Sequence, residues 1–209
     1  RVYVGDPRQQ IYGWRGAINA MDRLEAPEAR LTWSFRFAET LARFVRNLTA
    51  LQDRPVEVRG KAPWATRVDA ALPRPPFTVL CRTNAGVVGA VVVTHEVHRG
   101  RVHVVGGVEE LVHLLRDAAL LKKGEKRTDP HPDLAMVETW EELEALAEAG
   151  YAPAYGVLRL AQEHPDLEAL AAYLERAWTP VEVAAGVVVS TAHKAKGREW
   201  DRVVLWDDF

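Results

Sequence analysis

Three short runs, Phe77-Thr78-Val79-Leu80-Cys81, Val187-Val188-Val189-Ser190-Thr191 and Val203-Val204-Leu205-Trp206, are apolar almost without interruption. A strand with one wet face alternates apolar and polar residues. A near-continuous run marks a strand covered on both faces, as in parallel sheets. Parallel neighbours cannot be joined by a tight turn and need crossovers. Segments with helical spacing supply them: Leu41, Phe44, Val45, Leu48 and Leu51; then Gly86–His98; then Leu111, Val112, Leu114, Leu115 and Ala118. Further strands are expected at Arg1–Gly5, Leu31–Trp33 and Val102–Val105, and a proline-rich irregular connection over Pro55–Pro76. The fold class is therefore α/β, a parallel sheet flanked by helices.

The charged, Gly- and Pro-containing stretch Lys122–Pro132 reads as a boundary. Beyond it Thr139-Trp140-Glu141-Glu142 is a capping-box signature and Gly150 a helix stop. Helices also fit Ala154–Glu163 and Leu167–Trp178. Asp129–Glu182 holds 12 acidic residues against two arginines, so a small acidic helical insertion is expected over residues 123–182. Charge is unevenly spread: residues 1–101 carry 16 Lys and Arg against 9 Asp and Glu, and residues 102–209 carry 11 against 20. This asymmetry suits a chain whose first half faces a polyanion, although a solvated surface produces the same count.

A 209-residue chain that is 48% hydrophobic can bury a core of its own. Cys81 has no second cysteine to pair with, which points to a reducing compartment, most simply the cytoplasm. No apolar stretch reaches the ~20 residues of a membrane span. The chain opens without methionine in what reads as mid-strand, as a fragment would. No GxxxxGK[ST] phosphate loop, HExxH, CxxC or GxSxG is present. His95, His98, His103 and His113 lack the spacing of metal ligands, so no metal site is expected.

Four motifs give the chain a chemical direction. Gly5-Asp6-Pro7-Arg8-Gln9-Gln10-Ile11-Tyr12-Gly13-Trp14-Arg15-Gly16-Ala17 places polar and aromatic residues after an expected strand, the edge at which α/β proteins bind ligands. Tyr12 and Trp14 offer flat faces for unpaired bases, or serve as core aromatics. Leu31-Thr32-Trp33-Ser34-Phe35-Arg36 sets an aromatic ring beside a fixed cation. Val79-Leu80-Cys81-Arg82-Thr83-Asn84 ends a buried strand in polar groups and backbone amides suited to phosphate. Val189-Ser190-Thr191-Ala192-His193-Lys194-Ala195-Lys196-Gly197-Arg198-Glu199-Trp200 does the same further on.

In this order the four segments resemble motifs III, IV, IVa and V of the UvrD/Rep/PcrA-type superfamily 1 DNA helicases. The resemblance implies a RecA-like second motor domain at residues 21–122 and 183–209, the insertion at 123–182, and at residues 1–20 a motif III segment from the edge of the first RecA-like domain. It implies catalytic roles for Gln9 and Arg36, which would sense the terminal phosphate. Phe35, Gly197 and Glu199 would contact nucleotide. Tyr12, Trp14, Arg15, Arg82, Asn84, Thr191 and His193 would hold single-stranded DNA. Ser34, Phe37 and Arg198 depart from the family's usual Asn, Ser and Leu. ATP and Mg2+ would be bound only together with the missing N-terminal RecA-like domain, the chain's implied partner. The activity implied is ATP-dependent 3′-to-5′ DNA unwinding or translocation, of the kind used in DNA repair. The other reading is a catalytically inactive nucleic-acid or protein interaction module derived from the same fold.

Overall fold

A computed structural model describes residues 1–6, 18–52, 55–68, 70 and 73–209. The chain divides into two compact units, Arg1–Leu72 and Pro73–Phe209. Both contain parallel strands joined through helices, an α/β arrangement compatible with a RecA-like domain.

The first unit is built on a short parallel pair, β1 (Trp33–Ser34) and β2 (Arg59–Gly60), with Trp33 opposite Arg59 and Ser34 opposite Gly60. Between them runs α1 (Glu39–Thr49). The first-turn acid of α1, Glu39, accepts from Arg46 at 2.6 Å and from the Gly60 amide at 3.0 Å. Those two bonds hold its carboxyl below the usual range. Arg46 also donates to the Val58 carbonyl, so one ion pair ties the helix to the strand it must cross. A side chain at position 60 would run into the Ala38 backbone, which explains the glycine there. Arg1–Gly5, expected as a strand, is exposed and unpaired in any ladder among the described residues. A strand needs a neighbour for its amides, and the described residues supply none.

The second unit carries β3 (Phe77–Cys81), α2 (Asn84–His98), β4 (Val102–Val104), α3 (Glu109–Lys122), α4 (Trp140–Glu148), α5 (Ala152–Glu163), α6 (Leu167–Ala177), β5 (Val187–Thr191) and β6 (Val203–Leu205). Its sheet has the order β4-β5-β3-β6, every pair parallel. The central strands β3 and β5 are buried almost throughout, as their apolar runs require. The outer side of β4 is met by Trp178 and Thr179, whose amide donates to the Val102 carbonyl at 2.9 Å. β6 departs from the expectation of two covered faces. Among the described residues it pairs with β3 alone, and Val203 and Leu205 stand outward, 46% and 64% exposed.

Helix α2 packs on β3, β4 and β5 and against α3, α5 and α6, with α3 against α6 and α4 against α5. Leu134, Val137, Leu143, Leu160, Leu170 and Leu174 belong to the same buried cluster as Val79, Val88 and Leu114. The acidic segment therefore shares a core with the sheet, and its carboxylates at Glu141, Glu144, Glu148, Glu168 and Glu175 face outward. Thr139 caps α4 by accepting from the Glu142 amide at 3.2 Å. The reciprocal bond is displaced by one residue, Glu142 accepting from the Glu138 amide at 2.7 Å.

Where α3 meets the segment before α4, the core contains charge. Asp117 is buried, with His113 Nε2 at 2.9 Å, Arg127 Nε at 3.3 Å and the His131 amide donating to it at 2.7 Å. The His131 ring is 1% exposed and stacks edge-on against His113. Its Nδ1 accepts from the Asp133 amide at 3.1 Å, so in the neutral ring the proton sits on Nε2, 3.9 Å from Glu110. Burial pushes the pKa of His131 below its ordinary 6.5, against the opposing pull of Asp133, Glu110 and Asp117 and with a small assist from His113. A histidine held neutral in the fold but free to protonate when unfolded contributes stability above its unfolded pKa and loses it as pH falls further. Urea denaturation is therefore expected to show stability declining as pH drops below about 6.5. In His131→Asn, which keeps an acceptor for the Asp133 amide, that part of the decline is expected to disappear.

Candidate functional site

The carboxyl edge of the second sheet gathers two of the motifs. β3 and β5 are adjacent and in register, Cys81 opposite Thr191, and the Ala192 amide continues the ladder to the Cys81 carbonyl at 2.8 Å. The loops starting at Arg82 and Ala192 therefore leave the sheet side by side. This is the edge at which parallel α/β sheets take ligands.

On the β3 side, Thr83 caps α2, its hydroxyl accepting from the Gly86 amide at 2.9 Å. The amides of Arg82 and Thr83 both donate to the Asp208 carboxylate at 2.8 Å, and the Thr83 hydroxyl donates to it at 2.9 Å. These are the amides that the sequence assigned to phosphate. Asp208 satisfies them from just beyond β6, where its charge also suits the positive end of the helix. A Cβ at position 86 would collide with this carboxylate, so Gly86 is the residue that lets Asp208 in. The side chain of Arg82 is exposed beside it. Asn84 is half-buried and donates to Asp133 at 3.2 Å. Cys81 lies directly beneath, buried; burial first, then the Asp208 and Asp207 carboxylates, raise its thiol pKa strongly. It stays protonated and is no nucleophile.

On the β5 side, Thr191 is buried and its hydroxyl accepts from the Lys194 amide at 3.3 Å, holding the turn that follows. His193, Gly197 and Glu199 are exposed along that turn, with Gly197 at φ +83°. Lys194 reaches back to Glu110 at 2.7 Å, and Arg198 and Trp200 both donate to Glu182, at 3.0 and 3.3 Å. The structure thus brings together Arg82, Asn84, Thr191 and His193 at one edge, with Arg82 and His193 the more open.

The first unit presents Phe35 and Arg36 on the exposed turn after β1. Phe35 is 64% exposed, and Trp33, two residues earlier, is 51% exposed. Gln9, Tyr12, Trp14 and Arg15 lie outside the described residues. Among the described residues, no three His, Cys, Asp or Glu side chains are grouped so as to hold a metal ion, and no helix is long and apolar enough to cross a membrane. Sequence reasoning missed Asp208 and Trp33. The Asp207-Asp208 pair after an apolar strand and the period-two spacing of Trp33 and Phe35 were the available signals.

No family model matches the chain. Over its whole length it is similar to an F-box DNA helicase protein 1 of Schizosaccharomyces pombe, at 29% identity, and to an F-box DNA helicase 1 of Gallus gallus, at 25%. The chain spans 26% and 22% of those proteins.

Asp208→Ala would leave two backbone amides and a hydroxyl without their charged acceptor, at a cost of about 2–3 kcal/mol. Urea denaturation is expected to show that loss, whereas substituting its exposed neighbour Asp207 is expected to cost well under half as much.

Proposed function

We propose that the chain is the C-terminal motor portion of an ATP-dependent 3′-to-5′ DNA helicase of the UvrD/Rep/PcrA type, a cytoplasmic protein that couples ATP hydrolysis to movement along single-stranded DNA. The reading is carried by one observation: adjacent, in-register strands deliver the motif IVa and motif V loops to the same sheet edge. It is supported by the full-length similarity to two proteins named as DNA helicases. In this reading residues 21–122 and 183–209 belong to the second motor domain, 123–182 to its insertion and 1–20 to the edge of the first.

Arg82 and His193 contact the strand from the open edge, while Asn84 and Thr191 set the shape of the loops that carry them. Tyr12, Trp14 and Arg15 add contacts from motif III, two of them by stacking. Arg36 supplies fixed positive charge to the terminal phosphate, where phosphoryl transfer depends on positioning and electrostatic stabilisation. Gln9 senses the same phosphate, and Phe35, Gly197 and Glu199 contact the nucleotide. Mg2+ belongs with the N-terminal RecA-like domain. Among the described residues no three His, Cys, Asp or Glu side chains are grouped so as to hold it.

The chain is expected to bind single-stranded DNA weakly, in preference to duplex, with affinity falling steeply as salt rises. Arg82→Ala is expected to weaken binding several-fold and to lower the salt slope by about 1, as loss of one phosphate contact does. Fluorescence anisotropy with a labelled oligothymidine checks both. Equal affinity for duplex, or an unchanged salt slope in Arg82→Ala, would count against this strand path.

A further inference from the structure

The exposed face of the β1–β2 pair carries an arrangement of which the motif IV resemblance accounts for Phe35 alone. Trp33 and Phe35 alternate on the β1 side, and Arg59 and Lys61 alternate on the β2 side. Parallel pairing with period two puts all four on one face. The Lys61 Nζ stands 5.4 Å from the Trp33 ring centroid and 5.9 Å from that of Phe35, and the Arg59 guanidinium carbon is 5.5 Å from Trp33. Both rings remain more than half exposed despite those cations. Two nearby acids are already engaged: Glu39 by Arg46 and the Gly60 amide, and Glu57 by Arg30 at 3.5 Å. Residues 1–72 carry 12 Lys and Arg against 8 Asp and Glu.

We infer that Trp33, Arg59 and Lys61 form a binding face for a nucleoside triphosphate, extending the nucleotide site proposed above for Phe35 and Arg36, and the inference rests on that reading. The rings offer the apolar surface that the cations leave uncovered to a base, and the cations, held over the rings, offer charge to the phosphates. Lys61 lies near both rings and so can serve the phosphate of a base stacked on either. A ladder two residues long suits one nucleotide better than a run of a DNA strand. Arg36, which directly follows Phe35, sets a third cation on this side of the sequence.

The test titrates a fluorescent ADP analogue into the full-length protein, with tripolyphosphate as a base-free competitor and oligothymidine as a strand. Trp33→Ala is expected to weaken ADP binding about five- to tenfold, Trp33→Phe to restore most of it, and tripolyphosphate competition to be unchanged in both. Arg59→Gln with Lys61→Gln is expected to weaken ADP and tripolyphosphate together by about tenfold. Unchanged thermal midpoints would show that the exposed substitutions leave the fold intact. Wild-type ADP affinity in these variants would overturn the inference while leaving the helicase reading standing. A loss confined to oligothymidine would overturn it in favour of a strand contact. A wild-type protein that binds no nucleotide would overturn both.

Discussion

Everything at the candidate edge depends on the parallel register of β3 and β5. Because Cys81 lies opposite Thr191 and the ladder extends to Ala192, two loops more than a hundred residues apart in sequence leave the sheet at the same level. Register is fixed by burial. Both strands are covered on both faces, and a one-residue slip would exchange every buried side chain for its neighbour of the other face. Helix α2 supplies part of that cover and packs in turn on α3, α5 and α6, and the acidic segment also reaches the edge directly, through Asp133 on Asn84 and Glu182 on Arg198 and Trp200.

Electrostatics then decides which groups at that edge remain available. The Asp208 carboxylate takes the two amides and the hydroxyl at the start of α2, and Gly86 provides the space. The Arg82 side chain faces outward beside it, a cation instead of an amide cradle. In the proposed reading, a polyanion at this point would be held by charge, the mode that positions it without reading its sequence. On the neighbouring strand the Thr191 hydroxyl is committed to its own turn, and His193, Gly197 and Glu199 are exposed along it.

The central fold was legible because strand burial and helix periodicity are written locally. Phe77–Cys81 and Val187–Thr191 have the bounds expected, and α2 begins two residues earlier than its apolar pattern because Thr83 caps it. The misses have physical causes. Arg1–Gly5 has strand-like composition, but a strand is a pairing, and composition does not report partners. Val203–Trp206 reads as fully covered, yet β6 is an edge strand with Val203 and Leu205 outward. Asp208 acts across 125 residues on Thr83, a distance over which no periodicity speaks. In the 123–182 segment Leu143, Leu160 and Leu174 mark the buried side.

In the first unit Trp33, Phe35, Arg59 and Lys61 form the proposed nucleotide face, while in the second unit the sheet edge carries proposed strand contacts. A motor needs both functions and needs them coupled, and the coupling passes through the hydrolysis of ATP. The most direct measurement is single-strand-stimulated ATP hydrolysis by the full-length protein beside its Arg36→Ala variant. Strong DNA-dependent turnover that falls by about a hundredfold or more on losing Arg36, with folding and DNA binding retained, is the predicted result. No turnover in the wild type, or turnover indifferent to Arg36, would contradict the account and leave a binding module built on a helicase fold.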